Sequence, residues 1–472
     1  MHTGDEYFDS QEFRDILTSY EESVRSGQPI FMDADDLTDI ADYYNFTGDI
    51  ERAHAVIDFA LNMNPGAATP LVFKAREALE NEDIALAEEY AESILDKNDP
   101  DYKYLKAEIL IAQNKITQAE ELLGKYRETI EDEEYENFII DVTNLYLDYG
   151  VYDKAHEWMA RGKDCKLSEY KELEARILFG MGMFDDSARI FNELIDRNPY
   201  SKRYWNALAS AQFMNEDYDN AVASSEYAIA IDPKDPDGLL AKANSLYRLN
   251  KYAEALEYYG RYCDLMPSDT FGWLNKGTCL VNLSRFEEAV EQLKIALTVE
   301  SDTQYLAQIY QEMAFAYSAM RQPEKALECI GRTEKLECDH IDMKVLCGHI
   351  LLENDRKKEA EEYFKEAIAG SDNSPEIILR IIVSLYDNKY LETSYRMFKK
   401  LFTIVDENFR SGYSYMALCC WDMKRNEEFM QYLKTATEKN PNEAKNVLGH
   451  LFPKGTKPED YYNYMYNNLN IK

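Results

Sequence analysis

Basic side chains are scarce in this sequence. Its 472 residues carry 52 Lys and Arg against 88 Asp and Glu, a formal net charge of −36. Nucleic acid and anionic membrane both require a basic surface, so this charge argues against direct binding to either. Cysteine is sparse too, with eight in all. Cys165, Cys263, Cys279, Cys329 and Cys419 stand within or beside stretches of helical periodicity, a usage that suits small buried thiols in a reducing compartment rather than a disulfide framework. No run approaches the roughly 20 consecutive apolar residues that span a bilayer, and Met1 to Ser10 has neither a basic start nor an apolar core. The expectation is a soluble cytoplasmic protein. Strand patterns are missing, and with them the strand-to-helix context of a phosphate-cradling Gly loop or a nucleophile elbow. Gly180, Met181 and Gly182 hold only a fragment of a dinucleotide signature, inside a helical pattern. Neither a paired-histidine zinc helix nor a calcium loop occurs, so no enzyme and no cofactor is expected.

What the sequence has instead is repetition. Between Lys202 and Ser301, Trp205, Leu239 and Trp273 recur at a spacing of thirty-four residues. So do Ala209, Ala243 and Gly277; Tyr218, Tyr252 and Phe286; Ala221, Ala255 and Ala289; and Pro233, Pro267 and Ser301. Self-similarity at a fixed period marks a stacked solenoid. Apolar residues within each unit follow helical spacing on two successive faces, so each unit is two helices. Small residues allow the two to approach closely, and the prolines break the second helix at the same place in successive copies.

The small residue of the second helix can be followed through the chain as Ala53, Ala87, Ala119, Ala155, Ser187, Ala221, Ala255, Ala289, Ala326, Ala360 and Ser394, with Phe429 in a last, degenerate copy. A ladder on the first helices keeps step: Ala41, Ala75, Ala107, Thr143, Ala175, Ala209, Ala243, Gly277, Ala314, Gly348, Ile382 and Ala417. Ile382 and Phe429 replace small residues, which leaves the helix crossings there open. Around residues 301–304 the spacing lengthens by three, a longer loop or a bend.

The pattern of a large residue, Leu with Gly or Ala, Tyr, Ala, an aromatic, Ala and Pro resembles the tetratricopeptide repeat family. The resemblance covers roughly Ala34 to Glu443 and is strongest from Ser168 to Ser301. It implies an all-α, α-α superhelical solenoid of about twelve helix-turn-helix repeats, with first helices lining a concave face. The expected organisation is an N-terminal capping helix over 1–33, the repeats over 34–443 and a C-terminal capping segment over 444–472, where Tyr461, Tyr462, Tyr464 and Tyr466 cover the last repeat or dock another protein. One subgroup of the family clamps carboxylates of chaperone tails with Lys and Arg; Asn206, Ala241 and Asn275 stand at those positions here, against such a role.

The function implied is a non-enzymatic protein-protein interaction scaffold that takes a peptide or helix of a partner in its groove. Steps of three and four residues put Arg203, Asn206 and Phe213, then Leu240, Asn244 and Tyr247, then Phe271 and Leu274, and then Phe315 on the groove face as partner-binding residues. A second surface is electrostatic. From Met1 to Pro100 there are 24 acidic and 6 basic side chains, half of the net charge, and Asp35, Asp42, Glu80, Glu108 and Asp148 take inner-face positions that favour a basic partner. The alternatives are a metal- or redox-responsive regulator using Cys338, His340, Cys347 and His349, or a structural assembly subunit. The spacing of the Cys/His group is not that of a known zinc finger, and packed thiols with surface histidines account for it.

Overall fold

The computed structural model describes residues 7–8, 10–27, 29, 31–132, 134–162, 168–299, 303–336, 340–406, 408–453 and 455–468. Its backbone contacts divide the chain into two compact units, Met1–Ile231 and Asp232–Lys472. Among the described residues the structure is helical throughout, with no strand.

The first unit opens with α1 (Gln11–Ser26) and continues as six helix pairs. These are α2 (Ala34–Phe46) with α3 (Ile50–Met63), α4 (Ala68–Glu80) with α5 (Ile84–Ser93), and α6 (Pro100–Ala112) with α7 (Ile116–Arg127). Then come α8 (Tyr135–Asp148) with α9 (Tyr152–Met159), α10 (Ser168–Gly180) with α11 (Phe184–Arg197), and α12 (Lys202–Met214) with α13 (Tyr218–Ile231). The second unit holds six more: α14 (Pro236–Arg248) with α15 (Tyr252–Leu265), α16 (Thr270–Asn282) with α17 (Phe286–Val299), and α18 (Leu306–Ala319) with α19 (Pro323–Gly331). They are followed by α20 (His340–Glu353) with α21 (Lys357–Gly370), α22 (Pro375–Asp387) with α23 (Leu391–Ile404), and α24 (Tyr413–Asp422) with α25 (Asn426–Lys439). Two last helices, α26 (Pro441–Leu448) and α27 (Pro458–Asn468), complete it. The extra residues of the lengthened spacing lie between α17 and α18; of 301–304, on which that reading falls, 301–302 are outside the described residues.

First helices begin where a short polar side chain can accept a hydrogen bond from an otherwise orphaned N–H. Asp33, Asp99, Ser201, Asp235, Asp269 and Ser374 each do so, and Pro follows directly at Pro100, Pro236 and Pro375. They end alike. Two residues past the last helical position the backbone turns left-handed in all twelve pairs: Gly48, Glu82, Asn114, Gly150, Gly182, Glu216, Asn250, Ser284, Arg321, Asp355, Lys389 and Lys424. The next N–H reaches back into the helix, as Lys251 to the Leu246 carbonyl and Arg285 to that of Leu280, both at 2.9 Å. This closure satisfies carbonyls that the helix leaves open.

Both ladders of small residues are interior. Every member, from Ala41 and Ala53 to Ala417 and Phe429, is buried. The two open crossings resolve by pairing large with small: Ile382 shares its pair with Ser394, and Phe429 with Ala417, so one side of each crossing stays small and all four are fully buried. Gly348 shows how tight these crossings are. A methyl group there would lie 2.2 Å from Cε1 of Phe364, itself buried. Gly348→Ala is therefore expected to destabilise the chain by about 1–3 kcal/mol from overpacking, less the roughly 1 kcal/mol that Ala gains over Gly in a helix. Denaturant unfolding checks it, and an increase in stability would mean that the ring moves aside freely.

At the amino end, Phe13 of α1 is fully buried beside Leu37, Ile40 and Ile57. At the other end, α27 packs on α25 and α26, and buried Tyr461 stacks on Phe452 with ring centres 3.7 Å apart. Helix α26 was not apparent from the sequence, whose repeat register stops at Pro441. No described helix is long and apolar enough to cross a membrane.

Candidate protein-interaction surfaces

In the first unit, α2, α4 and α6 present a concave face with a cavity of about 590 Å³. Asp35, Asp39 and Asp42 come from α2, Glu77 and Glu80 from α4, and Asp101 from α6, with Arg76 as the one arginine in the lining. Phe8, Ile50, Val72 and Phe73 supply apolar wall. Some of the carboxylates are engaged: Asp35 accepts from the Thr69 hydroxyl at 2.8 Å, Asp39 from the Tyr7 hydroxyl at 2.6 Å, and Glu77 lies 2.6 Å from His54 Nε2. Asp42, Glu80 and Asp101 make no side-chain hydrogen bond or ion pair with any described residue. Arg76 pairs instead with Glu108, its Nε at 3.1 Å, and acts on Asp42 and Asp101 only as a nearby charge. Asp42 keeps contact with water, yet the surrounding protein and the nearby Asp39 charge push its pKa up to about 6, with Arg76 opposing.

Three of the five expected docking carboxylates, Asp35, Asp42 and Glu80, thus meet in one cavity. Glu108 and Asp148 do not join them, since Arg76 takes the first and Arg176 the second, at 3.4 Å. The sequence reading missed Asp39, Glu77 and Asp101; the excess of acid over Met1 to Pro100 was the only signal of the first two, and Asp101 lies just past it.

The groove residues divide. Arg203 is exposed but paired with Glu172, and Asn206 is half-buried. Phe213 and Tyr247 each set an edge against the aromatic residue five positions on, Tyr218 at 5.4 Å and Tyr252 at 5.4 Å, so both brace their own helix turn. Asn244 is also turned inward, accepting from the buried Tyr259 hydroxyl at 2.6 Å. Leu240 is half-buried, and Phe271 lies beside Tyr305 with ring centres 6.0 Å apart. Leu274 is a correction: it is fully buried among Val290, Leu293, Ile309 and Met313, because α17 and α18 close over its side of α16. Phe315 lines a cavity. Near Tyr247 stands a carboxyl that the sequence did not single out, Glu312, which burial pushes up to about 7 although the neighbouring Thr278 hydroxyl opposes this.

The described members of the Cys/His group do not assemble. Cys347 is buried in apolar core with Met313 and Cys329, His340 opens α20 on the surface, and His349 Nδ1 lies 2.9 Å from the Ser384 hydroxyl. Cys338 is outside the described residues, among which no three His, Cys, Asp or Glu side chains converge in a way that would hold a metal.

The recurring helix pair, with its buried small-residue crossings and identical turns, agrees with what family models find in the sequence. Residues 74–132 and 173–236 match one tetratricopeptide repeat model, and residues 341–369 match a second. The chain carries tetratricopeptide repeats. Residues 214–296 also match the model described as anaphase-promoting complex, cyclosome, subunit 3. Similar solved structures include a chain of the anaphase-promoting complex hetero-tetramer Cut9–Hcn1, 13% identical over 95% of both chains with a TM-score of 0.36. MamA from Desulfovibrio magneticus RS-1 is 19% identical over 37% of this chain and 97% of its own, at 0.34. YrrB, described as a tetratricopeptide repeat protein with an unusual peptide-binding site, is 19% identical over 41% of this chain and 95% of its own, also at 0.34. No curated protein matches the sequence. Tetratricopeptide repeats are protein-interaction modules, and the chain is a repeat scaffold of that kind.

Proposed function

We propose that this scaffold is non-enzymatic and that its first unit docks a basic segment of a partner protein in the cavity between α2, α4 and α6. The observation that carries the reading is the set of open carboxylates there. Asp42, Glu80 and Asp101 line a concave surface with no ion pair to any described residue and only the shared Arg76 charge nearby, beside apolar wall on which the aliphatic stem of a Lys or Arg can lie. A field of this kind acts mainly on the association rate and is screened by salt, the Debye length being about 8 Å at physiological ionic strength.

The test is titration of the full chain with a lysine-rich peptide and with its glutamate counterpart, at low and at high salt. Saturable binding of the lysine peptide that weakens steeply with salt is expected. Equal binding of the two peptides, or binding indifferent to salt, would remove the docking role. A second reading, a structural subunit of a larger assembly, is favoured by the match of residues 214–296 to the model of a complex subunit. The native mass of the complex recovered from cells separates them, since an assembly subunit stays in a stoichiometric complex at high salt.

A further inference from the structure

The second unit has a cavity of its own, of about 450 Å³, on the first helices α18, α20, α22 and α24. This lies within the roughly 300–1,000 Å³ typical of ligand pockets. Its walls are Phe315, Val345, Leu379, Val383 and Tyr415, and Phe315 leaves 40% of its surface open. Most polar groups in it are already satisfied from within the chain. Arg380 is paired with Asp342; His349 has the Ser384 hydroxyl at one ring nitrogen and Glu353 at 3.5 Å from the other. Asp387, at the end of α22, differs. It makes no hydrogen bond or ion pair with any described residue, and the charges felt around it are those of His349 and Lys389 on one side and Glu353 on the other. Its side chain is open to water, yet the protein packed around it raises its pKa, which marks a carboxylate short of compensation.

We infer that this cavity is a second docking site, which takes a partner-protein segment presenting a large apolar side chain next to a Lys or Arg. The apolar residue fills the space over Phe315, Val345 and Val383, and the cation completes Asp387. Charge selects against the alternative of an acidic segment, because the one unpaired ionic group of the lining is a carboxylate in a chain of net charge −36. The site is independent of the acidic cavity in the first unit. Binding there depends on long-range charge; binding here depends on burying an anchor, which salt does not screen.

The experiment selects a displayed library of random dodecapeptides on the full chain at high salt, where purely electrostatic binders are lost. Expected are peptides that place Leu, Met, Phe or Trp beside Lys or Arg. Phe315→Ala should weaken them about tenfold or more, as loss of an anchor contact does. Asp387→Asn should weaken them less, and not at all once the peptide cation is replaced by norleucine. Both residues are exposed, so neither variant should alter thermal unfolding. The same peptides should bind an Asp42→Asn, Glu80→Gln, Asp101→Asn variant as they bind the wild type; this separates failure here from failure of the first-unit reading. Enrichment of acidic peptides, or of none sensitive to Phe315→Ala, overturns the inference. So does self-association of the wild-type chain that Phe315→Ala abolishes, since the occupant would then be a second copy.

Discussion

The variant Asp42→Asn, Glu80→Gln, Asp101→Asn is expected to associate with the lysine-rich peptide about tenfold more slowly than the wild type, with a smaller change in dissociation. Fields focused by a concave surface raise on-rates by about 10 to 1,000-fold, and this variant removes three of the six carboxylates that line the cavity. None of the three is in an ion pair among the described residues, so their amides should leave the fold intact. The control neutralises exposed carboxylates on second helices, Glu121→Gln, Asp153→Asn and Asp219→Asn, which changes net charge equally. Stopped-flow association of both variants checks the claim, and equal slowing would show that overall charge, not the cavity, attracts the peptide. Acidity should mimic the variant in part. The Asp42 pKa is raised to about 6, so its charge is fully present well above that pH and lost as pH falls through it. Association should therefore be slower at pH 5 than at pH 7.5. The sign for stability is opposite. A carboxyl that holds its proton more tightly folded than unfolded favours folding below pH 6 and withdraws that support as pH rises, by a small amount because Asp42 is wetted.

Trp158→Ala is expected to cost about 3–5 kcal/mol, the range for emptying a buried Trp or Phe site. Trp158 is 1% exposed and meets Phe138 edge to face with ring centres 5.8 Å apart. Its Nε1 donates to Glu120 at 2.6 Å, the same oxygen that accepts from the Tyr146 hydroxyl at 2.7 Å. Arg161 lies over the indole, 3.7 Å from the ring centre, and pairs with Glu120 at 3.8 Å. Truncation thus opens a void between α8 and α9 and also strips a half-buried carboxylate of one donor and its neighbouring cation of a platform. Trp158→Phe keeps most of the volume and should cost clearly less. Urea unfolding of both variants measures the difference, and a loss below about 1 kcal/mol for Trp158→Ala would mean that α9 contributes little to the first unit.

How far the sequence carried depends on the range over which a residue is determined. The ladders of small residues were legible because each crossing is fixed within one helix pair, and all their members are interior, even at Ile382 and Phe429. The groove face was legible only in part. Asn206, Leu240 and Leu274 hold the same position in three copies, yet Leu274 alone is fully sealed, by a later helix that brings Ile309 and Met313 over it. Phe213 and Tyr247 turned out to brace aromatic partners, an interaction visible in the spacing of five residues once the turn between them is known. Charges were hardest to place. Glu108 and Asp148 look identical in sequence to Glu80, but cations 32 and 28 residues away, on adjacent repeats, take them out of play. Asp387 was overlooked for the converse reason, because nothing in its own helix pair signals a carboxylate left without a partner.

The twelve left-handed turns bear on how the chain reaches this structure. Only Gly48, Gly150 and Gly182 occupy that conformation without steric penalty; the other nine are side-chain-bearing residues, among them Arg321, Lys389 and Lys424. Left-handed backbone costs such residues roughly 1–2 kcal/mol each, and two short helices alone are marginal in water. A single helix pair from this chain has little reason to close by itself, and its turn is held by the packing of the pairs on either side. Folding within each unit is then expected to start only when two or more neighbouring pairs associate, and to spread outward along the stack from that nucleus.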